Sequence, residues 1–335
     1  MKNYKMIVGI DVSKLTLDAQ LMFDPKDDRK IHLKVSNNDK GIKEIIKAIK
    51  SYKVEAQDCF FCFENTGIYS MPLSYNLSKN NADYWVVNAL EINRSKGISR
   101  GKNDKNDAKE IAFYAFTHLH KLTLTTIPER EIAEMKMLFT EREKLLKTIR
   151  IMETTKEAQG FIPKEITKNV IKLNAKTVLL LKNQLKEIEN QMNEIVVKNE
   201  KILNQQNLIT SIPGVGKQTA LYLIITTKCF DSFDNWRQLA CYAGVAPFEF
   251  SSGSSVRGRT KVNHLADKKM KSLLNMCALS IKKYDKEIAE YYKKKVDEGK
   301  NPMLVMNNIR CKILSRVFAT VNRGTPYVNL QKFAA

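Results

Sequence analysis

Three short runs near the start of the chain read as strands, the continuously apolar "KMIVGID" and the alternating "LTLDAQLM" and "KIHLKVS", with "FDPKDDR" between the last two. A two-residue period marks β-strands and the Asp/Pro-rich insert marks a turn, so residues 5 to 36 predict a β-meander. The period then changes. In "NNDKGIKEIIKAIKSYK", Ile42, Ile45, Ile46 and Ile49 share one helical face behind Asn38 or Asp39 as the cap. A second apolar run, "CFFCFEN", is followed by a helix at about 69 to 80 and by the strand "ADYWVVN". Antiparallel strands followed by helices alternating with further strands is the order of a ribonuclease H-like α/β fold.

From about 128 to 200 the pattern becomes long, charged and helix-favouring, as in "EREIAEMKMLFTEREKLLKTIRIME" and "TVLLLKNQLKEIENQMNEIVV". Apolar positions recur at three- and four-residue steps, which predicts two long helices broken at "GFIPKE", packed as a hairpin or, coiled-coil fashion, across a dimer. From about 206 a mainly helical region is expected, with one Gly/Ser-rich loop, "SSGSSVRGRT". The resulting division is an α/β domain over 1–125, a long-helix region over 126–205, and a mainly helical domain over 206–335.

Charge narrows the partners. The chain of 335 residues carries 56 Lys+Arg against 36 Asp+Glu, a formal net charge of +20, which makes a polyanion the first partner to consider. It has no apolar run long enough to span a bilayer and no secretory leader pattern, so a soluble cytoplasmic protein is expected. The six cysteines are scattered through apolar surroundings, as reduced core thiols are. Cys59 and Cys62 form a C-x-x-C, but it lies within an apolar strand without a second pair or a nearby histidine, so no zinc site is expected.

Asp11 ends the first apolar strand and Glu64 ends "CFFCFE". In a ribonuclease H-like sheet those strand ends lie side by side. In "RGKNDKNDAKEIAFYAF", Asp104 and Asp107 stand one helical turn apart on a shared face, so four carboxylates can converge. Acids favour a helix N-terminus in any case, which would explain Asp104 and Asp107, but not two acids at the ends of apolar strands. Such a cluster repels itself unless a cation occupies it, and hard oxygen donors suit Mg²⁺ or Mn²⁺. Two such ions can activate the attacking oxygen and stabilise the leaving one in a phosphoryl displacement.

Two downstream motifs add to this. "LITSIPGVGKQTALYLI" has the pattern of a helix-hairpin-helix, in which Gly214, Gly216 and Lys217 would meet a nucleic-acid phosphate at the start of the second helix. The alternative is a glycine connection that only packs two helices. In "GVAPFEFSSGSSVRGRTKVNHLADKKMKSLL", Arg257, Arg259, Lys261, Lys268, Lys269 and Lys271 face one acid, Asp267, and form a basic strip beside a serine cluster. A serine hydroxyl among cations is a suitable nucleophile toward a phosphodiester, yet the same composition suits a flexible linker.

Taken in order, "GIDVSK", "FENTGIY", "KNDKNDAKEIA", "IPGVG" and "GVAPFEFSSGSSVRGRTKV" make the chain resemble, over nearly its whole length, the DEDD transposases of the IS-one-ten insertion-sequence type, described as bridge-RNA-guided recombinases. The resemblance implies a RuvC-like N-terminal domain with the quartet on Asp11, Glu64, Asp104 and Asp107, binding Mg²⁺. It also implies a C-terminal transposase domain whose nucleophilic serine precedes a glycine, which maps to Ser252, with Ser251 adjacent and Ser254 close by. Donor and target DNA, a structured noncoding RNA and assembly as a homodimer or homotetramer are implied as partners.

Three competing readings remain. Sugar kinases and other actin-like ATPases also open on a "GID" strand, but they place Gly-Thr after the aspartate, where this chain has Val12-Ser13-Lys14. A junction resolvase or DNA invertase would use the four acids without a covalent serine step. A non-catalytic nucleic-acid binder would tolerate Asp11→Asn.

Overall fold

The computed structural model describes residues 2–24, 31–95, 104–252, 256–262 and 265–328, with the backbone alone at 155–159, 249–252 and 256–261. The expected "FDPKDDR" turn, Lys102 and Asn103 of the acidic motif, and Ser254 therefore lie wholly or largely outside the described residues. The fold is mixed α/β and mostly helical. It divides into two compact units, Met1–Ile127 and Pro128–Ala335.

The first unit is built on five strands, β1 (Met6–Val12), β2 (Thr16–Met22), β3 (Ile31–Ser36), β4 (Cys59–Glu64) and β5 (Asp83–Val87), in the order β3-β2-β1-β4-β5. The first three pair antiparallel, as the alternation predicts, whereas β4 and β5 add parallel to β1. Parallel addition requires a crossover, and α1 (Asp39–Ser51) and α2 (Met71–Lys79) supply the two that are needed. Asn38 caps α1 by accepting from the Gly41 amide, and Ile42, Ile45 and Ile49 are buried beneath it.

Period two along each strand splits the apolar residues between two layers. Val8, Ile10, Phe61 and Phe63 join Ile42, Ile45 and Leu73 on one face. Ile7, Phe60, Cys62 and Trp85 join Ile111, Ala112 and Ala115 of α4 (Asp104–Thr117) on the other, where the shorter α3 (Ala89–Ser95) contributes Ile92. Cys59 and Cys62 fall in different layers, so the C-x-x-C cannot share a metal; all six cysteines are free.

In the second unit, α5 (Arg130–Gln159) and α6 (Lys164–Lys198) run antiparallel as a hairpin. Arg142 donates to Glu189 at 2.8 Å and Lys182 to Glu153 at 2.7 Å. Then come α7 (Glu200–Thr210), α8 (Lys217–Thr227), α9 (Trp236–Tyr242), α10 (Lys268–Tyr284), α11 (Lys286–Asp297) and α12 (Pro302–Arg323), around one core that includes Ile209, Leu223, Leu274 and Ile313. The expected Gly/Ser loop is a correction: its two sides form an antiparallel hairpin, β6 (Pro247–Ser252) and β7 (Val256–Val262). Phe248 and Phe250 on one side, and Val256, Thr260 and Val262 on the other, supply the aromatic and β-branched residues that favour strands. Among the described residues no helix is long and apolar enough to cross a membrane.

Candidate active site

Register and face place the acids. Asp11 pairs with Asp18 across β1 and β2, and Asp18 with Lys34 across β2 and β3, so the three occupy one row on one face of the sheet. Ile10 pairs with Phe63 in the parallel β1–β4 ladder, which makes Asp11 and Glu64 the next residues along. Glu64 has the parity of Phe60 and Cys62, the face that α4 covers. Helix α4 reaches that face because Gly9 has no side chain, and Asp104 and Asp107 lie in its first turn.

The electrostatics show that these groups act on one another. Burial pushes the Asp11 carboxyl up to about 6, and the charges of Asp107, Glu64, Asp104 and Asp18 push in the same direction. A carboxylate repelled by four others marks a place deficient in positive charge. Lys34 supplies part of it, its Nζ lying 3.2 Å from Asp104 and 3.3 Å from Asp18, and these two acids raise its own pKa. The buried Asp18 also meets His32 Nε2 at 3.0 Å.

The donor set fits a hard divalent cation by its chemistry, since Asp11, Glu64, Asp104 and Asp107 offer only oxygen. Among the described residues, however, no three His, Cys, Asp or Glu side chains are grouped closely enough to hold a metal ion as they stand. Lys34 Nζ instead holds one oxygen of Asp104 at 3.2 Å.

The other expected site residues belong to the second unit. Ser252 ends β6 opposite Val256, and Ser251 pairs with Arg257. Arg257, Arg259 and Lys261 occupy alternate positions of β7. Lys268 opens α10 and is exposed, while Lys269 is ion-paired to Glu143 and sits over the Phe139 ring, joining α10 to α5. Gly214 lies in the turn between α7 and α8 with φ +80°, and a Cβ there would meet the Ile281 amide nitrogen at 2.9 Å. That glycine therefore packs the turn onto α10. Gly216 caps α8 with open space where a Cβ would be, and Lys217 beside it is exposed. Asp18, His32 and Lys34 were missed from sequence; the signal was an aspartate inside the apolar "TLDAQLM", which becomes informative once the β1–β2 register is known.

A strand-end acid grouped with acids from a neighbouring strand and a covering helix is an arrangement of metal-dependent phosphoryl-transfer enzymes acting on nucleic acids, and family comparison gives the same class: a DNA transposase or recombinase. The chain belongs to the IS110 family of DEDD transposases. A family model described as a transposase, of the DEDD IS110 group, matches residues 8–157, and one described as "Transposase IS116/IS110/IS902 family" matches residues 206–293. The chain is 26% identical over 328 residues to a "Pilin gene-inverting protein" of Moraxella bovis and, equally, to that of Moraxella lacunata, covering 96% of this chain and 98% of theirs. It is 31% identical over 120 residues to an "Insertion element IS110 uncharacterized 43.6 kDa protein" of Streptomyces coelicolor, 36% of this chain and 29% of that protein.

Proposed function

We propose that the protein cleaves and rejoins DNA strands through a serine ester intermediate, with Ser252 as nucleophile and Asp11, Glu64, Asp104 and Asp107 as the Mg²⁺- or Mn²⁺-binding quartet of a RuvC-like, ribonuclease H-like domain. The observation that carries this reading is that Asp11, partly buried at the end of β1, feels the charges of Glu64 on the next strand and of Asp104 and Asp107 on α4. A divalent ion held there would polarise the phosphodiester and stabilise the charge on the leaving oxygen.

In the proposed step the Ser252 hydroxyl oxygen forms a bond to phosphorus and the bond from phosphorus to one sugar oxygen breaks. The freed sugar oxygen takes up a proton as the serine gives one up. Attack by another strand's hydroxyl reverses the step, so no external energy source is needed. Arg257, Arg259 and Lys261, spaced along β7, are suited to contact phosphates flanking the serine. Gly216 and Lys217, at the start of α8, are suited to a backbone phosphate in the manner of a helix-hairpin-helix.

The choice of donor and target DNA by a structured noncoding RNA rests on family resemblance together with the +20 charge. Assembly as a dimer or tetramer through the long-helix region is supported by an exposed apolar line on α6, Ile166, Val170 and Leu173.

The relatives named for pilin gene inversion extend over almost the whole chain and favour DNA inversion as the overall reaction; the second reading is an invertase in which the acids work without a covalent serine. One experiment separates the two. The protein, Mg²⁺ and the element's own RNA are incubated with labelled donor and target DNA, and label on denatured protein is measured. An adduct lost in Ser252→Ala and in Asp11→Asn supports the serine mechanism. Metal-dependent cleavage without adduct, unchanged by Ser252→Ala, establishes the invertase reading instead.

A further inference from the structure

A cleft of about 220 Å³ opens in the second unit between α5 and α8. Phe139 and Tyr222 line it with ring centroids 5.1 Å apart, and Tyr242, 45% exposed, adds a third ring. Asp267 fixes this wall. It accepts from the Tyr222 hydroxyl at 2.8 Å and from the Met270 amide at 2.8 Å; burial raises the pKa of Tyr242, and the charge of Asp267 and a hydrogen bond to it raise it further.

Two lysines from different helices share the same cleft, Lys136 of α5 and Lys228 at the end of α8. Burial lowers the Lys228 pKa, and the charge of Lys136 on the same cleft lowers it further. Among the described residues Lys136 has no ion-pair partner, although carboxylates are common on α5. Two like charges placed together beside aromatic rings are suited to an anion joined to a flat apolar group.

The backbone at Lys228 is a second and independent observation. Lys228, Cys229 and Phe230 have φ of 49°, 59° and 68°, three consecutive left-handed residues without a glycine. Such a run persists only where its surroundings over-determine it. Here Gln205 donates to the Cys229 carbonyl at 2.9 Å, Thr227 Oγ1 accepts from the Phe230 amide at 2.9 Å, and the Thr227 carbonyl accepts from Ser232 at 3.0 Å. A helix of this length can end without that strain; this ending sets Lys228 at the cleft.

We propose that the cleft docks one nucleotide of a single-stranded nucleic acid, its base against the Tyr242 ring and its phosphate between Lys136 and Lys228. Aromatic faces accept any base by stacking and paired cations track the phosphate, the combination that single-strand binding requires. A free inorganic anion would make no use of the rings, and an apolar ligand none of the lysines. The site is independent of the acid quartet and of Ser252.

The test uses the full-length protein and short single strands carrying 5-iodouracil, in DNA and RNA forms, irradiated and mapped by mass spectrometry, with affinity measured in parallel. The expected result is a photo-adduct on the peptide carrying Tyr242. The Lys136→Gln/Lys228→Gln variant should bind about tenfold more weakly, with a log-log salt slope shallower by roughly 0.7, the value for one single-strand phosphate. Lys293→Gln/Lys294→Gln on α11, which removes the same charge elsewhere, should lose less than about threefold on the nonspecific electrostatic term alone. Glutamine at 228 keeps a long side chain, and circular dichroism checks the fold. The DNA and RNA arms identify which strand supplies the nucleotide. Adducts confined to other peptides, or equal affinity losses in the two lysine pairs, would overturn the proposal.

Discussion

Gly9 and Ala112 touch backbone to backbone: a Cβ at Gly9 would lie 2.2 Å from the Ala112 nitrogen and 2.5 Å from the Ala108 carbonyl oxygen. This approach lets α4 lie on β1 and brings its first turn toward Asp11. Since rigid backbone cannot yield as a side-chain tip can, Gly9→Ala should destabilise the protein by about 2–3 kcal/mol or more. Denaturant unfolding measures it, and a midpoint equal to wild type would show that α4 does not depend on the glycine.

Asp11 should make stability fall with rising pH. Its carboxyl is raised from 3.8 to about 6 in the folded protein, so between those values the folded state binds more protons than the unfolded chain. Stability is therefore lost progressively across that window, and the full penalty persists above it. Because the carboxyl is only partly buried, the effect is on the order of 1 kcal/mol after solvent screening. With metal chelated, Asp11→Asn should gain stability relative to wild type at neutral pH and show little difference near pH 4. Parallel stability curves for the two proteins would contradict the assignment.

Lys34 competes with any cation for Asp104. Lys34→Met frees that carboxylate and removes a nearby positive charge, so Mn²⁺ should bind more tightly, by up to about fivefold for a pair this exposed. Titration calorimetry with Mn²⁺ alone, without DNA, reads this directly. Weaker binding would mean that Lys34 instead holds the acids in a binding geometry.

The two glycines of "IPGVG" should respond differently. Gly214→Ala meets both a positive φ and the backbone of α10, and should cost about 1–3 kcal/mol. Gly216→Ala enters open space at a helix cap and should cost less than about 1 kcal/mol. Thermal unfolding of both variants tests the contrast, which equal losses would remove.

The apolar line on α6 predicts assembly. Val170→Glu with Leu173→Glu should leave helix content intact and shift the sedimenting species toward monomer. An unchanged mass would place the interface elsewhere.

Much of this protein was legible in local patterning. Period-two runs marked the meander, the isoleucine spacing marked α1, and the long amphipathic stretches marked α5 and α6, because a residue's neighbours in sequence decide which face it presents. Motif order was enough to give the family. The β6–β7 hairpin was misread as a loop because serine and glycine dominate its composition, while Val256, Thr260 and Val262 carry its strand preference. Local pattern could not reveal that Asp18 and Lys34 stand in the row of Asp11, because strand register is a relation between segments. Nor could it show that Gly214 serves packing, or that Lys136 and Lys228, far apart along the chain, line one cleft. The sequence by itself determined most of the elements and the charge, and offered the four acids as candidates; only the tertiary structure decided which charges act on one another, because Coulombic coupling depends on distance in space rather than along the chain.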